Sequence, residues 1–509
     1  MKYESRKFVI IFIILTIGLI YTFRLLSMQV LTSKWDERAH VISEKRVYVY
    51  PPRGIIYDRN GRKLVDNVVF YDLMVVPDEM EEMDTTAFCD LIGIERETFD
   101  KKLEEAREHS PYVPSIFRKE ISLQQFDVIN ENLYQFPGFF VNERTLRTYP
   151  EGTAAQVLGY ISEVDSSDIK RDAYYRAGDY IGKIGLERSY EKELRGKRGV
   201  RYLLQDAVGM ESGSIEGGKY DTLPRKGMNL YSTIDAELQA YGELLMKNKI
   251  GSIVAIEPST GEVLAMVSSP TFDPNILVGR ESRAEHFPVL QKDSISKPLY
   301  NKAVRSHYPP GSIFKMFQAL VGLEDGVLTE QTVFICDGSK VADHVFGTIG
   351  MFDAIKSSSN MWFYRAMERI VQPGKHRNLF KDAREGLDNW ATHMRTFGLG
   401  QVLPIELEGD YAGRVPDANF YDNEFPFPAP EPYGKHRWAY STIYSNSIGQ
   451  GEVEINPLQM ANLACTIANR GHFYYPHLVR QVGEGGEKRE IFQERQKVYP
   501  DPEHFDIVV

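Results

Sequence analysis

Two prolines and a glycine, Pro309-Pro310-Gly311, stop any regular element that reaches them, because proline lacks an amide donor and pushes its predecessor to extended backbone. Apolar residues then fall at 313, 314, 316, 317, 320, 321 and 323. That spacing predicts a helix with a wide buried face, closed by Gly326, around which a core must form. Ser312 is thereby placed at the helix start, with Lys315 one turn later on the same side. The arrangement suits nucleophilic catalysis. A neutral lysine amine in a desolvated site can take the serine hydroxyl proton, and a helix N-terminus has amides free for a developing oxyanion.

The pattern Ser-x-x-Lys also occurs at Ser167/Lys170, Ser189/Lys192 and Ser294/Lys297. There it reads as a solvated helix or loop face, since neither a Pro-Pro-Gly lead-in nor a buried helix follows. Context singles out Ser312.

The 509 residues, 42% hydrophobic, suffice for more than one core, so two or three domains are expected. A net charge of −11 without a long basic run excludes nucleic acid as a natural partner. Cys89, Cys336 and Cys465 are far apart and odd in number, which argues against a disulfide framework.

At the N-terminus, Lys2, Arg6 and Lys7 precede an apolar run from Phe8 to Phe23, and Arg24 can snorkel from its far end. This predicts a membrane anchor over 8–28 after a cytoplasmic tail of residues 1–7, with the bulk of the chain exported. A cleaved signal peptide is the rival reading; the run is long for one and no Ala-x-Ala-like site follows.

Farther along, residues 35–45 read as a short helix or stalk. Asn60-Gly61 predicts a hairpin, because both turn residues can adopt positive φ, and Arg53 and Asp58 are expected to serve packing or a local ion pair. Arg96 to His109 reads as a charged helix, and Ala154 to Ile161 as a buried helix or strand. The glycine-rich stretch from Gly178 lacks the Gly-Lys-Ser/Thr of a phosphate loop and reads as a turn into a charged helix. Residues 211–226 look like a boundary. Beyond it come a strand from Leu230, a helix from Ala236 to Asn248, and a hairpin of 252–257 and 262–267 around Pro258-Ser-Thr-Gly261. The fold class is α+β, helices set against an antiparallel sheet.

Ser358-Ser359-Asn360, within Ser357 to Tyr364, is the one place where Ser-x-Asn occurs, and it reads as a loop entering a helix. Ser358 can shuttle a proton between Lys315 and a leaving amine, and Asn360 can bind a substrate amide with donor and acceptor together. Taken alone, such a cluster is a helix cap.

In order along the chain stand Pro51 to Leu64, Gly182 to Gly199, Glu257-Pro-Ser-Thr-Gly, Pro298-Leu-Tyr-Asn-Lys-Ala303, Ser312-x-x-Lys315, Ser358-x-Asn360 and Ser447-Ile-Gly-Gln-Gly451. As a set they resemble the class B penicillin-binding proteins from the anchor to about residue 480. The resemblance implies an elongated mixed α/β pedestal (dimerisation) domain over 29–225 and a penicillin-binding transpeptidase domain over 226–509. It implies a D,D-transpeptidase of cell-wall elongation, needing no cofactor, in which Ser312 attacks the D-Ala-D-Ala bond of a peptidoglycan stem peptide. Lys315 would be the general base, and Ser358 and Asn360 would line the opposite wall of the cleft. β-Lactams would acylate the same serine. Implied partners are stem peptides, the inner membrane, a rod-shape SEDS-type glycosyltransferase and other elongation proteins, with catalysis on the periplasmic side.

The family's third motif, Lys-Thr/Ser-Gly on an edge strand, should follow the predicted Asn456 to Asn469 helix, and no such tripeptide occurs. A C-terminally truncated sequence lacking its last strands is therefore expected. An inactive scaffold or β-lactam sensor is the alternative function, and a β-lactamase a weaker one. Cys336, Asp337, Asp343 and His344 invite a metal reading, because some relatives resemble zinc binders with a cysteine inside the second motif. Here Ser359 occupies that position, and a polar loop is expected.

Overall fold

A computed structural model of the chain describes residues 4–26, 44–112, 114–176, 178–205, 211–409, 411–425, 438–486 and 489–509. The chain gathers into two compact units, each built from separated stretches. Met1–Pro52, Val69–Thr145 and Gly196–Gly227 make the smaller, and Arg53–Val68, Leu146–Arg195 and Met228–Val509 the larger. The N-terminal apolar run forms a helix, Glu4–Leu26, of which Lys7–Leu26 is long and apolar enough to cross a membrane. Residues 27–43, which hold most of the segment read as a helix or stalk, lie outside the described residues.

In the smaller unit, strands Glu44–Val49, Gly199–Gln205 and Glu211–Ser214 form an antiparallel sheet with Gly199–Gln205 in the middle. Helices Thr85–Ile92, Arg96–His109 and Leu123–Asn132 gather with strand Ser115–Ile121 around Phe88, Phe99, Phe117 and Phe139. Their starts are chemically marked. The Asp84 carboxylate accepts from the Thr86 and Ala87 amides, and Ser122 shares a capping box with Gln125.

In the larger unit the Asn60-Gly61 hairpin joins strand Ile56–Tyr57 to the first part of strand Lys63–Val75, which belongs to this unit as far as Val68. Of the two turn residues, which can both adopt positive φ, only Gly61 does so, at +87°. The cause is Asp58, whose Oδ1 accepts from the amides of Asn60 and Arg62 at 2.8 Å each and so closes the turn with Asn60 in an ordinary conformation. Arg53 forms an ion pair, but not a local one, reaching across the chain to Glu187 at 2.8 Å and Glu191 at 2.7 Å. Arg147 meets Glu187 at 2.7 Å, both side chains fully buried.

Strands Gly251–Ile256 and Val263–Ser269 make the second predicted hairpin, turned by Gly261 at φ +76°. Helix Ala236–Leu245, capped by Asp235, packs on its second strand. The Gly178 stretch gives strand Tyr180–Gly182 and short helices Gly185–Ser189 and Glu191–Leu194, a turn into helix. Ala154 to Ile161 resolves into helix Ala155–Leu158 running to strand Ile161–Glu163. Beside these strands a helical layer, Lys315–Glu324, Asn360–Val371 and Leu379–Thr396, closes over Phe317, Leu320, Trp362, Met367 and Trp390. The expected α+β layering is therefore present, and the three cysteines are free and buried.

Candidate active site

Tyr308 is tied to Ile455 by backbone bonds in both directions, 2.9 and 3.0 Å, which sets the chain's approach. After the prolines, Gly311 turns at φ +64°. Gly311–Phe314 is a single 3-10 turn, closed by the Lys315 amide on the Ser312 carbonyl, and the α-helix proper is Lys315–Glu324. The tight first turn leaves Ser312 and Ile313 exposed while Phe314, Phe317, Leu320 and Val321 enter the core. Inside that core, Gln318 accepts from Trp390 Nε1 at 2.7 Å and donates to the Asn446 carbonyl at 3.2 Å. The helix is thus fixed in rotation as well as depth.

The second segment differs from the expected loop. Residues Met351–Ser357 are already helical, burying Met351 and Ala354. Ser358 then breaks the helix in a left-handed conformation, φ +56° and ψ +44°, one that costs a non-glycine residue about 1–2 kcal/mol. Ser359 caps the next helix, Asn360–Val371, accepting from the Trp362 amide at 3.2 Å. Ser359 supplies the cap, while its neighbours Ser358 and Asn360 turn toward Lys315.

The two segments meet at Lys315. Its Nζ donates to the Ser358 carbonyl at 2.6 Å, Ser358 Oγ at 3.0 Å and Asn360 Oδ1 at 2.7 Å. Lys315 is only 2% exposed, and burial pushes its amine down to about 8 against the opposing pull of the Asp343 carboxylate. Of the four residues singled out by sequence, Lys315, Ser358 and Asn360 form one hydrogen-bonded cluster. Ser312 stands one turn away at the surface, its Oγ unbonded among the described residues.

Sequence reasoning passed over two contributors. Gly449, in Ser447-Ile-Gly-Gln-Gly451, accepts from the Gly311 amide at 2.7 Å. Asp343, read as part of a polar loop after a metal reading was weighed, accepts from Ser359 Oγ at 2.6 Å and the Met361 amide at 2.8 Å. His344 Nε2 lies 2.7 Å from the Ser357 carbonyl, and Cys336 Sγ 3.6 Å from Ser359 Oγ. Among the described residues no three His, Cys, Asp or Glu side chains are grouped to hold a metal.

The profile of the penicillin-binding protein dimerisation domain matches residues 48–232, and that of the penicillin-binding protein transpeptidase domain matches residues 251–505. The chain is 30% identical over 466 residues to the peptidoglycan D,D-transpeptidase MrdA of Salmonella typhimurium, covering 87% of this chain and 69% of that one. Its fold is similar to penicillin-binding protein 2 of Helicobacter pylori, solved in complex with MreC, at TM-score 0.70 and 24% identity, over 91% of this chain and 82% of that one. A chain from a peptidoglycan synthase complex, solved in a study of coordinated polymerisation and crosslinking, is 25% identical at TM-score 0.67, over 99% of this chain and 84% of that one. With the serine–lysine helix, the Ser-x-Asn corner and these matches in agreement, the chain belongs to the class B penicillin-binding proteins, among relatives of penicillin-binding protein 2.

Proposed function

We propose that this chain is a peptidoglycan D,D-transpeptidase of wall elongation, acting through an acyl-enzyme on Ser312. The observation that carries the reading is the buried Lys315 amine, held by Ser358 and Asn360 one turn beyond an exposed serine. Ser312 Oγ attacks the carbonyl carbon of the penultimate D-Ala and passes its proton to neutral Lys315. Amides at the helix start receive the oxyanion. As the carbon–nitrogen bond breaks, the proton travels through Ser358 Oγ to the leaving amine of the terminal D-Ala. An acceptor amine from a second stem peptide then attacks the ester, its proton returns by the same path, and Ser312 is released with its hydroxyl restored. Asn360 holds the donor peptide's backbone. A β-lactam enters at the first step and leaves a stable ester.

The remaining assignments follow from the same reading. Residues 8–28 anchor the chain once in the inner membrane, 29–225 form the pedestal, and 226–509 carry the reaction on the periplasmic side. Elongation partners, including a SEDS-type glycosyltransferase, are expected, which the multi-protein setting of the structural relatives supports. Incubation of the full chain with a fluorescent penicillin, followed by mass spectrometry, tests the function. A covalent adduct on Ser312 that is absent in Ser312→Ala is expected. An unlabelled wild-type chain, or labelling that survives the substitution, overturns the reading.

A further inference from the structure

We infer that Asp343 is a positioning residue for this acyl-transfer site, clamping the Ser358–Asn360 corner from behind and so setting where the Lys315 amine is held. The inference rests on the function proposed above.

Asp343 lies between the antiparallel strands Val333–Cys336 and Gly347–Gly350, and its side chain has no solvent exposure. A buried carboxylate is tolerated only when its lone pairs are used. Here both oxygens are taken. Oδ2 accepts from Ser359 Oγ at 2.6 Å and the Met361 amide at 2.8 Å, while Oδ1 accepts from the amides of His344 at 2.8 Å and Val345 at 3.4 Å. One oxygen therefore grips the corner and the other grips Asp343's own loop. Burial alone would raise this carboxyl, but the bonds from Ser359 and the backbone amides outweigh it and hold it below the ordinary value, so it stays charged.

Two further contacts show what the grip achieves. The neighbouring Ala342 carbonyl accepts from Asn360 Nδ2 at 2.9 Å, which turns Asn360 Oδ1 toward Lys315 Nζ. His344 Nε2 meets the Ser357 carbonyl at 2.7 Å. Residues 342, 343 and 344 thus each hold one part of the corner. Ser358 sits in a left-handed conformation that it would not keep unaided, and it supplies two of the three oxygens around Lys315 Nζ. Asp343 touches neither the amine nor Ser312. It acts through Ser359 and Met361, and its charge opposes the fall in the Lys315 pKa.

The test measures second-order acylation of the full chain by a fluorescent penicillin from about pH 6 to about pH 10, with melting temperature alongside. Asp343→Asn keeps the shape but loses the charge, and it presents an amide donor where donors already converge. Its high-pH rate is expected to fall about ten- to hundredfold, and the pH midpoint to move downward as Lys315 loses a compensating charge. Ser359→Ala keeps the carboxylate, so its rate should fall with the midpoint in place. A purely structural role would lower the melting temperature and leave the high-pH plateau of Asp343→Asn unchanged; that result overturns the inference, whereas the midpoint follows the lost charge in either case. Should Asp343→Asn fail to fold, an unchanged plateau in Ser359→Ala overturns it equally. A wild-type chain that does not label refutes the proposed function instead, so the two failures are distinct.

Discussion

The Gly449 carbonyl accepts a 2.7 Å hydrogen bond from the Gly311 amide, so the residue before Ser312 is clamped to a second glycine turn. Gly449 stands at φ +68°, and a Cβ on it would come within 2.1 Å of the Gly311 carbonyl oxygen. Backbone cannot give way at that distance without moving Ser312. Gly449→Ala is therefore expected to lower penicillin acylation about a hundredfold, with a loss of roughly 1–2 kcal/mol in stability from the left-handed conformation. Stopped-flow acylation and thermal melts check both numbers. A variant that acylates at the wild-type rate would show that the clamp does not position the serine.

Acylation should rise with pH about a midpoint near 8. Burial disfavours the charged Lys315 amine and lowers its pKa to about 8, so below that value the amine is protonated and cannot accept the Ser312 proton. Above it the base form predominates and the rate levels off. Lys315→Met should lose the activity by several orders of magnitude and flatten the profile. A wild-type profile unchanged from pH about 6 to about 9 would remove Lys315 as the base.

Ser358→Gly separates stability from chemistry. Glycine relieves the left-handed strain at φ +56°, and that gain, about 1 kcal/mol, roughly offsets the added freedom of the unfolded chain. The melting temperature should hold or rise. The substitution also deletes the hydroxyl that meets Lys315 Nζ at 3.0 Å, so acylation should fall about a hundredfold or more. Parallel melts and labelling kinetics decide the point; a Gly variant that both melts and labels like the wild type would deny Ser358 Oγ its part in proton transfer.

Local chemistry explains which parts of this arrangement could be read in advance. Pro309-Pro310-Gly311 and the apolar spacing after them act within a few residues, so the helix and the placement of Ser312 were legible. So were the hairpin around Gly261 and the helix expected from Asn456 to Asn469, which runs Pro457–Ala468. The break at Ser358 was not. Nothing in Ser357-Ser-Ser-Asn announces a left-handed serine, because that conformation is held by bonds from elsewhere in the chain. Asp343 was read as part of a polar loop after a metal reading was weighed; its bonds to Ser359 and Met361, 16 and 18 residues away, were not legible because they form only in the fold. The Gly449 clamp joins residues still more distant, and its signal, a second glycine motif, pointed to family and not to contact.

Glu187 is the shared anion of two arginines, the half-buried Arg53 at 2.8 Å and the fully buried Arg147 at 2.7 Å. Glu187→Gln leaves Arg147 buried without its carboxylate, and breaking such a pair costs about 3–5 kcal/mol. A matched double variant, Glu187→Gln with Arg147→Met, removes the stranded charge and should recover part of that loss. Urea midpoints for the three chains test it. If the single variant were as stable as the wild type, the cluster would carry no net stabilisation; if the double were the worst of the three, packing of the Arg147 stem would matter more than its charge.

Glu406 predicts a pH dependence of the fold itself. Its side chain is buried, accepting from the Leu478 amide at 2.8 Å and the Val479 amide at 3.2 Å, with Tyr190 Oη donating at 3.4 Å. Burial raises its carboxyl from an ordinary 4.5 to about 7, and the two amides and Arg489 offset only part of that. Between those values the folded chain keeps a proton that the unfolded chain has released, so unfolding is favoured progressively as pH rises. The contribution is fully present below about 4.5, is lost by about 7, and amounts to about 3 kcal/mol. Glu406→Gln stays neutral throughout and retains one acceptor for the amides, so its stability should lack this slope. Urea titrations of both chains at about pH 5, 6 and 7.5 give the difference curve. A difference that narrows or reverses against the wild type as pH rises confirms a carboxyl held neutral in the core; a flat difference means that Glu406 is charged at every pH tested and that the Leu478 and Val479 amides alone sustain it.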